Sequence, residues 1–157
     1  MDTKNAEQRM AQQLGHEHRE ICATLSLIEE LIARHAEHLD SGAPGRLPAL
    51  LRKLGALLLD HFRYEEKSLM FTDCPQDFPH LRAALDGLLT EHGEIMMRIR
   101  HIHASFESVE SNHGPMDIVR DTHELMRIIR RHEKFESEIL RNVYTDSNDQ
   151  TSVGVGD

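Results

Sequence analysis

Cysteine is scarce in this chain: only Cys22 and Cys74 occur, in different segments. Their spacing suits neither a disulfide framework nor a zinc ribbon, so a reducing compartment is expected. Long hydrophobic runs are missing as well. No stretch approaches the roughly 20 apolar residues that span a bilayer, and the opening MDTKNAEQRMAQQ lacks the apolar core of a secretory signal. The sequence therefore predicts a soluble, cytoplasmic protein that does not bind membranes. Positive charge is in deficit, with 18 Lys and Arg against 27 Asp and Glu. The resulting net charge of -9 repels phosphate backbones, which excludes nucleic acid as an expected partner. Aromatic residues are few, with no Trp, two Tyr and five Phe. Against that scarcity stand 12 histidines, the side chain that most often binds metals.

A chain of 157 residues has room for one domain with a continuous apolar core. Four segments of helical period are predicted, at about residues 6–38, 48–71, 79–108 and 116–144. Breakers separate them. Ser41-Gly42-Ala43-Pro44-Gly45 closes the first, and the linker at 72–78, with Asp73 and Pro75, follows the second. Pro79 suits the first turn of the third helix, and Asn112-His113-Gly114-Pro115 precedes the fourth. Residues 145–157 are polar and Gly-containing, and are expected to form a disordered tail beyond a bundle at 1–144.

Each predicted helix carries one apolar stripe advancing in steps of three and four. The first reads Leu14, His18, Ile21, Leu25, Ile28, Ile32, His35, Leu39, and the second Leu47, Leu51, Leu54, Leu58, His61, Glu65. The third reads Leu81, Leu85, Leu88, His92, Ile95, Ile99, Ile102, Phe106. The fourth reads Ile118, Thr122, Leu125, Ile129, His132, Glu136, Ile139, Val143. Four such helices with short connections predict an all-α, antiparallel up-down-up-down four-helix bundle.

The polar interruptions of these stripes carry the chemistry. His18, His61, Glu65, His92, His132 and Glu136 all point inward, where an unpaired carboxylate costs several kcal/mol after relaxation. They need cations. His61 with Glu65 and His132 with Glu136 are four apart, so each pair lies one turn apart on one face. Heights along the bundle are a test of convergence. His18 lies 23 residues before Ser41 and Glu65 lies 18 beyond Leu47, a difference of about 8 Å at roughly 1.5 Å per residue. Helix ends shift by a few residues, enough to absorb this. Imidazole and carboxylate donors without cysteine suit iron better than calcium, magnesium or a structural zinc. Two six-coordinate irons offer about twelve positions; four His, two bridging carboxylates and a bridging oxygen species fill about ten, leaving about two for a small ligand. The alternative arrangement, Glu-x-x-His on two helices, occurs here only at Glu110 to His113, in a loop.

As an ordered set, His18, His61-Phe62-Arg63-Tyr64-Glu65, His92 and His132-Glu133-Lys134-Phe135-Glu136 resemble the hemerythrin-like HHE family across about residues 14–143. The resemblance implies a non-haem di-iron centre that binds oxygen, nitric oxide or peroxide, or that serves iron handling. Oxygen carriers of that family have a further histidine where this chain has Met96, and an Asp five residues after the last histidine where this chain has Glu136 after four. The set is closer to the iron-sulfur-cluster repair proteins, whose Cys-bearing N-terminal domain has no expected counterpart in these 157 residues.

The expected function is binding or sensing of a small ligand rather than catalysis; the alternative is a di-iron enzyme or iron donor acting in nitric oxide or peroxide detoxification or cluster repair. Among the remaining candidates, Cys22, one turn after His18, is expected to be a small buried hydrophobe. Cys74 reads as exposed and oxidisable. Met96 and Met97 read as core filler, and Tyr64 as pointing away from the site. Glu66, Glu91 and Glu133 adjoin the site in sequence and are expected to form surface ion pairs. His35 reads as a polar residue at the bundle end, and His38, His80, His101, His103, His113 and His123 as solvated.

Overall fold

The structure, a computed structural model, describes residues 3–35, 45–67, 79–107 and 114–149. Among these lie four helices and no strand: α1 (Thr3–His35), α2 (Arg46–Glu66), α3 (Pro79–Glu107) and α4 (Pro115–Asp149). Two helices open on proline, which fits the first helical position because its missing N–H would have had no partner there. At the start of α4 the Gly114 carbonyl accepts the Asp117 and Ile118 amides, at 2.9 and 3.2 Å. The Gly114 N–H donates to the Asp117 carboxylate at 3.1 Å, so the first turn closes on itself with an acidic group at the positive end of the helix.

Two predicted boundaries change. The fourth helix runs to Asp149 rather than ending at 144, and residues 145–149 hold neither Gly nor Pro to stop it. The second helix ends at Glu66 with Lys67 as its cap, short of the expected Phe71. Phe71 itself, the linker at 72–78 with Cys74, the first turn around Ser41, His38, Leu39, Glu110, His113 and the end of the tail lie outside the described residues.

Each helix packs on the next, and α4 returns to α1 along the most sparsely packed seam of the four. Paired residues give the directions. Leu27, Leu31 and Arg34 of α1 share a groove with Arg46, Ala49 and Leu50 of α2. Glu29 pairs with Arg130 at 2.8 Å while Cys22 faces Glu133, so α1 and α4 also run oppositely. The stripes read from sequence form the interior: Ile21, Leu25, Ile28 and Ile32 meet Leu47, Leu51, Leu54 and Leu58, with Ile95, Ile99, Ile102, Leu125 and Ile129 across from them. Gly55 lets α2 approach α3 closely, since a Cβ there would stand 3.2 Å from Ile99 Cγ2. None of the described helices is long and apolar enough to cross a membrane.

Candidate metal centre

Apart from Thr24 and Thr122, the buried polar side chains among the described residues fall in one layer. There His61, Glu65, His92, His132 and Glu136 are all buried, and His18 keeps 23% of its side chain exposed. Each residue comes from the stripe of its own helix, so amphipathic packing that buries the leucines carries these groups inside as well. The anticipated height mismatch does not materialise: His18 Nε2 and His61 Nε2 are 3.1 Å apart. His18 lies 17 residues before His35, the last described residue of α1, and His61 lies 15 after Arg46, the first of α2 (35 − 18 and 61 − 46), a difference of only about 3 Å.

The donors fall into two groups that share one residue. His18, His61, Glu65 and Glu136 form the first and Glu65, His92 and His132 the second, with the donor atoms in each group within 4.8 Å of one another. Glu65 joins them, its Oε1 at 2.8 Å from His61 Nε2 and its Oε2 at 3.3 Å from His92 Nε2. Glu136 Oε2 lies 3.4 Å from His18 Nε2 and 3.9 Å from His61 Nε2. His18 and His61 meet through their Nε2 atoms, but the carboxylates are not bonded in the usual directed way. Both oxygens of Glu65, both of Glu136, and Nε2 of His132 are buried without a hydrogen-bond partner. Donors on one ion at about 2.1 Å stand about 3 Å apart at right angles, the spacing seen here. The lone pairs face common points instead of one another, as ligands around cations do.

The outer faces of the rings explain how they are aimed. His61 Nδ1 lies 3.0 Å from Glu17 Oε2, His92 Nδ1 3.0 Å from Glu66 Oε1, and His132 Nδ1 3.0 Å from Glu91 Oε2. An ionised carboxylate only accepts, so each Nδ1–H donates and each Nε2 faces inward. Glu66 and Glu91 are therefore not merely surface ion-pairing residues, although Glu91 also accepts from Arg131 at 2.9 Å. Glu17 has no counterpart in the sequence reading. Phe62, quoted there only as part of a motif, is buried and stacks on His92 with centroids 3.9 Å apart.

Electrostatics shows what the layer lacks. Burial works against a charge on His61, yet the nearby carboxylates of Glu136, Glu65 and Glu17 outweigh it and raise its pKa to about 10. Glu136 at 3.4 Å likewise raises the His18 pKa. Burial acts against ionised Glu136 too, but the adjoining His18 and His61 hold it well below the usual carboxylate range. His132, dominated by burial, shifts down. Left to itself the site draws protons onto imidazoles as a substitute for positive charge.

The other candidates fall outside this layer. Cys22 is exposed instead of buried, because its seam is the sparse one; its thiol faces Glu133 Oε2 at 3.6 Å, and burial raises the Glu133 pKa. Met97 is exposed on the α3 surface and not core filler, while Met96 packs against the core and Tyr64 points outward as expected. His101 and His123 are exposed, His103 is half-buried, and the side chains of His35 and His80 are outside the described set.

The profile of the hemerythrin HHE cation binding domain matches residues 9–143, which contain all six inward residues and the three carboxylates behind them. No curated protein and no solved structure matches the chain. Four helices that carry one buried layer of histidine and glutamate, together with a match over most of its length, mean that this chain belongs to the hemerythrin HHE cation-binding family.

Proposed function

We propose that the chain holds two non-haem iron ions, bridged by an oxygen species, between His18, His61, Glu65, His92, His132 and Glu136, and that it binds or senses oxygen, nitric oxide or peroxide there. The observation that carries this reading is the buried carboxylate oxygens of Glu65 and Glu136 without hydrogen-bond partners, set among inward Nε2 atoms grouped around two points that share Glu65. Two anionic carboxylates in an apolar interior cost several kcal/mol apiece unless cations answer them. Imidazole and carboxylate donors without thiolate suit iron. When bound, the irons would supply redox-active Lewis-acid positions, of which about two stay available to a small ligand. The chain's own part is positional. Glu17, Glu66 and Glu91 keep Nε2 of His61, His92 and His132 turned inward, and the apolar layer beneath keeps bulk water out.

Iron content of purified protein, measured together with the visible spectrum before and after adding azide or peroxide, tests the reading. Two irons per chain and a new ligand-to-metal absorption are expected. One metal or none, or a spectrum indifferent to these ligands, would overturn it.

A further inference from the structure

Three of the inward imidazoles are tied at Nδ1 to a carboxylate, and one is not. His61, His92 and His132 each have Nδ1 tied at 3.0 Å to a carboxylate of the preceding helix in the chain, Glu17, Glu66 and Glu91 respectively. By the same order the partner of His18 on α1 would come from α4, where Glu133 adjoins His132 as Glu91 adjoins His92. Glu133 instead turns one oxygen to the Cys22 thiol, its other oxygen has no partner, and His18 Nδ1 bonds to no carboxylate among the described residues. His18 is also the solvent-touching member of the six, at 23% side-chain exposure against 4% or less for the other three histidines and two glutamates. Its Nε2 reaches His61 of α2 and Glu136 of α4, and the α1–α4 seam beside it is the sparsest of the bundle.

We propose that the two metal positions exchange at different rates: the ion at His18, His61, Glu65 and Glu136 leaves and returns through the α1–α4 seam, while the ion at Glu65, His92 and His132 is resident. This rests on the two-metal reading above. The first group offers four residues and the second three, which favours the first at equilibrium. Exchange, however, is set by the first ligand able to let go. Swinging His92 or His132 away breaks the Nδ1 hydrogen bond to a carboxylate of the neighbouring helix. Swinging His18 breaks no such bond, and the ring moves toward water. The first position is thus fit to hand a divalent cation to an acceptor, and the second to keep the bundle loaded while it does so.

Protein loaded anaerobically with two equivalents of ferrous ion is challenged with excess ferrozine, and release is followed by absorbance. Wild type is expected to release one equivalent at least about tenfold faster than the other, since loss of a ligand's outer support typically costs 10–100-fold in metal affinity. His18→Ala should take up one equivalent and release it at the slow rate. Glu91→Gln, which loosens His132, should accelerate the slow phase and leave the fast one. Cys22→Phe keeps every ligand and covers the seam, so it should slow the fast phase alone; far-UV circular dichroism confirms that each variant is helical. Release of both equivalents in a single phase, or a fast phase unmoved by Cys22→Phe, would overturn unequal exchange while leaving the di-iron centre intact. Failure of wild type to take up two equivalents would overturn the di-iron reading and the exchange mechanism with it.

Discussion

Leu25, Leu54, Ile99 and Leu125 form one layer across the bundle, and seven residues away on each helix stand His18, His61, His92 and His132. Seven residues is about two turns, so the two layers sit on the same stripes, enclosed by the same neighbours. Their interiors differ completely. The leucine layer is satisfied by contact alone, and every atom it buries gains dispersion contacts and loses water. The histidine layer, buried almost as thoroughly, ends in carboxylate oxygens without directed hydrogen-bond partners, countered only by protons drawn onto His18 and His61. Burial in one layer stabilises; in the other it creates a demand for positive charge, and that demand is the basis of the function.

The largest expected effect comes from damaging the self-sufficient layer. Leu54→Ala should lower the unfolding free energy by about 2–5 kcal/mol whether or not metal is present, as read by urea denaturation. A loss that disappears on metal loading would mean that the two layers are not separable. Next in size, and opposite in sign, is Glu136→Met in metal-free protein. Combined with His61→Leu, it should raise stability by about 1–4 kcal/mol, because apolar groups of similar volume replace a buried ion pair, while iron uptake falls below two per chain. If this variant is less stable than wild type without metal, the protein alone satisfies the carboxylate and the contrast collapses.

The smallest effect is on pH dependence. His61 in the metal-free protein has a pKa raised from 6.5 to about 10, so its contribution is complete below 6.5 and is lost as pH rises through about 10. The lowered pKa of Glu136 works at the other end, contributing above the ordinary 4.5 and fading as pH falls through its folded value. Thermal midpoints of metal-free protein should therefore fall between pH 6.5 and 10. Loaded protein, whose His61 must be neutral to bind a cation, should lack that decline and release protons as metal binds. Parallel pH curves for the two forms would count against metal and proton competing for one imidazole.

Helical period alone was enough to place the six inward residues, because the spacing that buries Leu54 and Leu58 also buries His61 and Glu65. The bundle architecture followed from the same stripes. Glu17, Glu66 and Glu91 were harder to read, since each lies one position off a stripe, where periodicity marks only a flank, and each acts on the neighbouring helix. Their role depends on which helix stands alongside and at what height, which no single-helix pattern contains. Phe62 was hidden for a similar reason: it follows His61 by one residue, yet turns toward α3 to stack on His92. Exposure of Cys22 and Met97 depended on how tightly particular seams close, a property of the assembled bundle.

Helices seamed only by leucine and isoleucine can slide past one another by a turn, about 5.4 Å, and still find apolar partners. This bundle cannot. From α1 to α3 every helix brings an inward ligand and, right beside it in the chain, the carboxylate that grips the next helix's ring. A slip of any one of them by a single turn would strand its own imidazole and release its neighbour's together. The binding layer thus acts as a key that permits one alignment of otherwise interchangeable greasy surfaces, so that holding metal and choosing the fold's register become a single event.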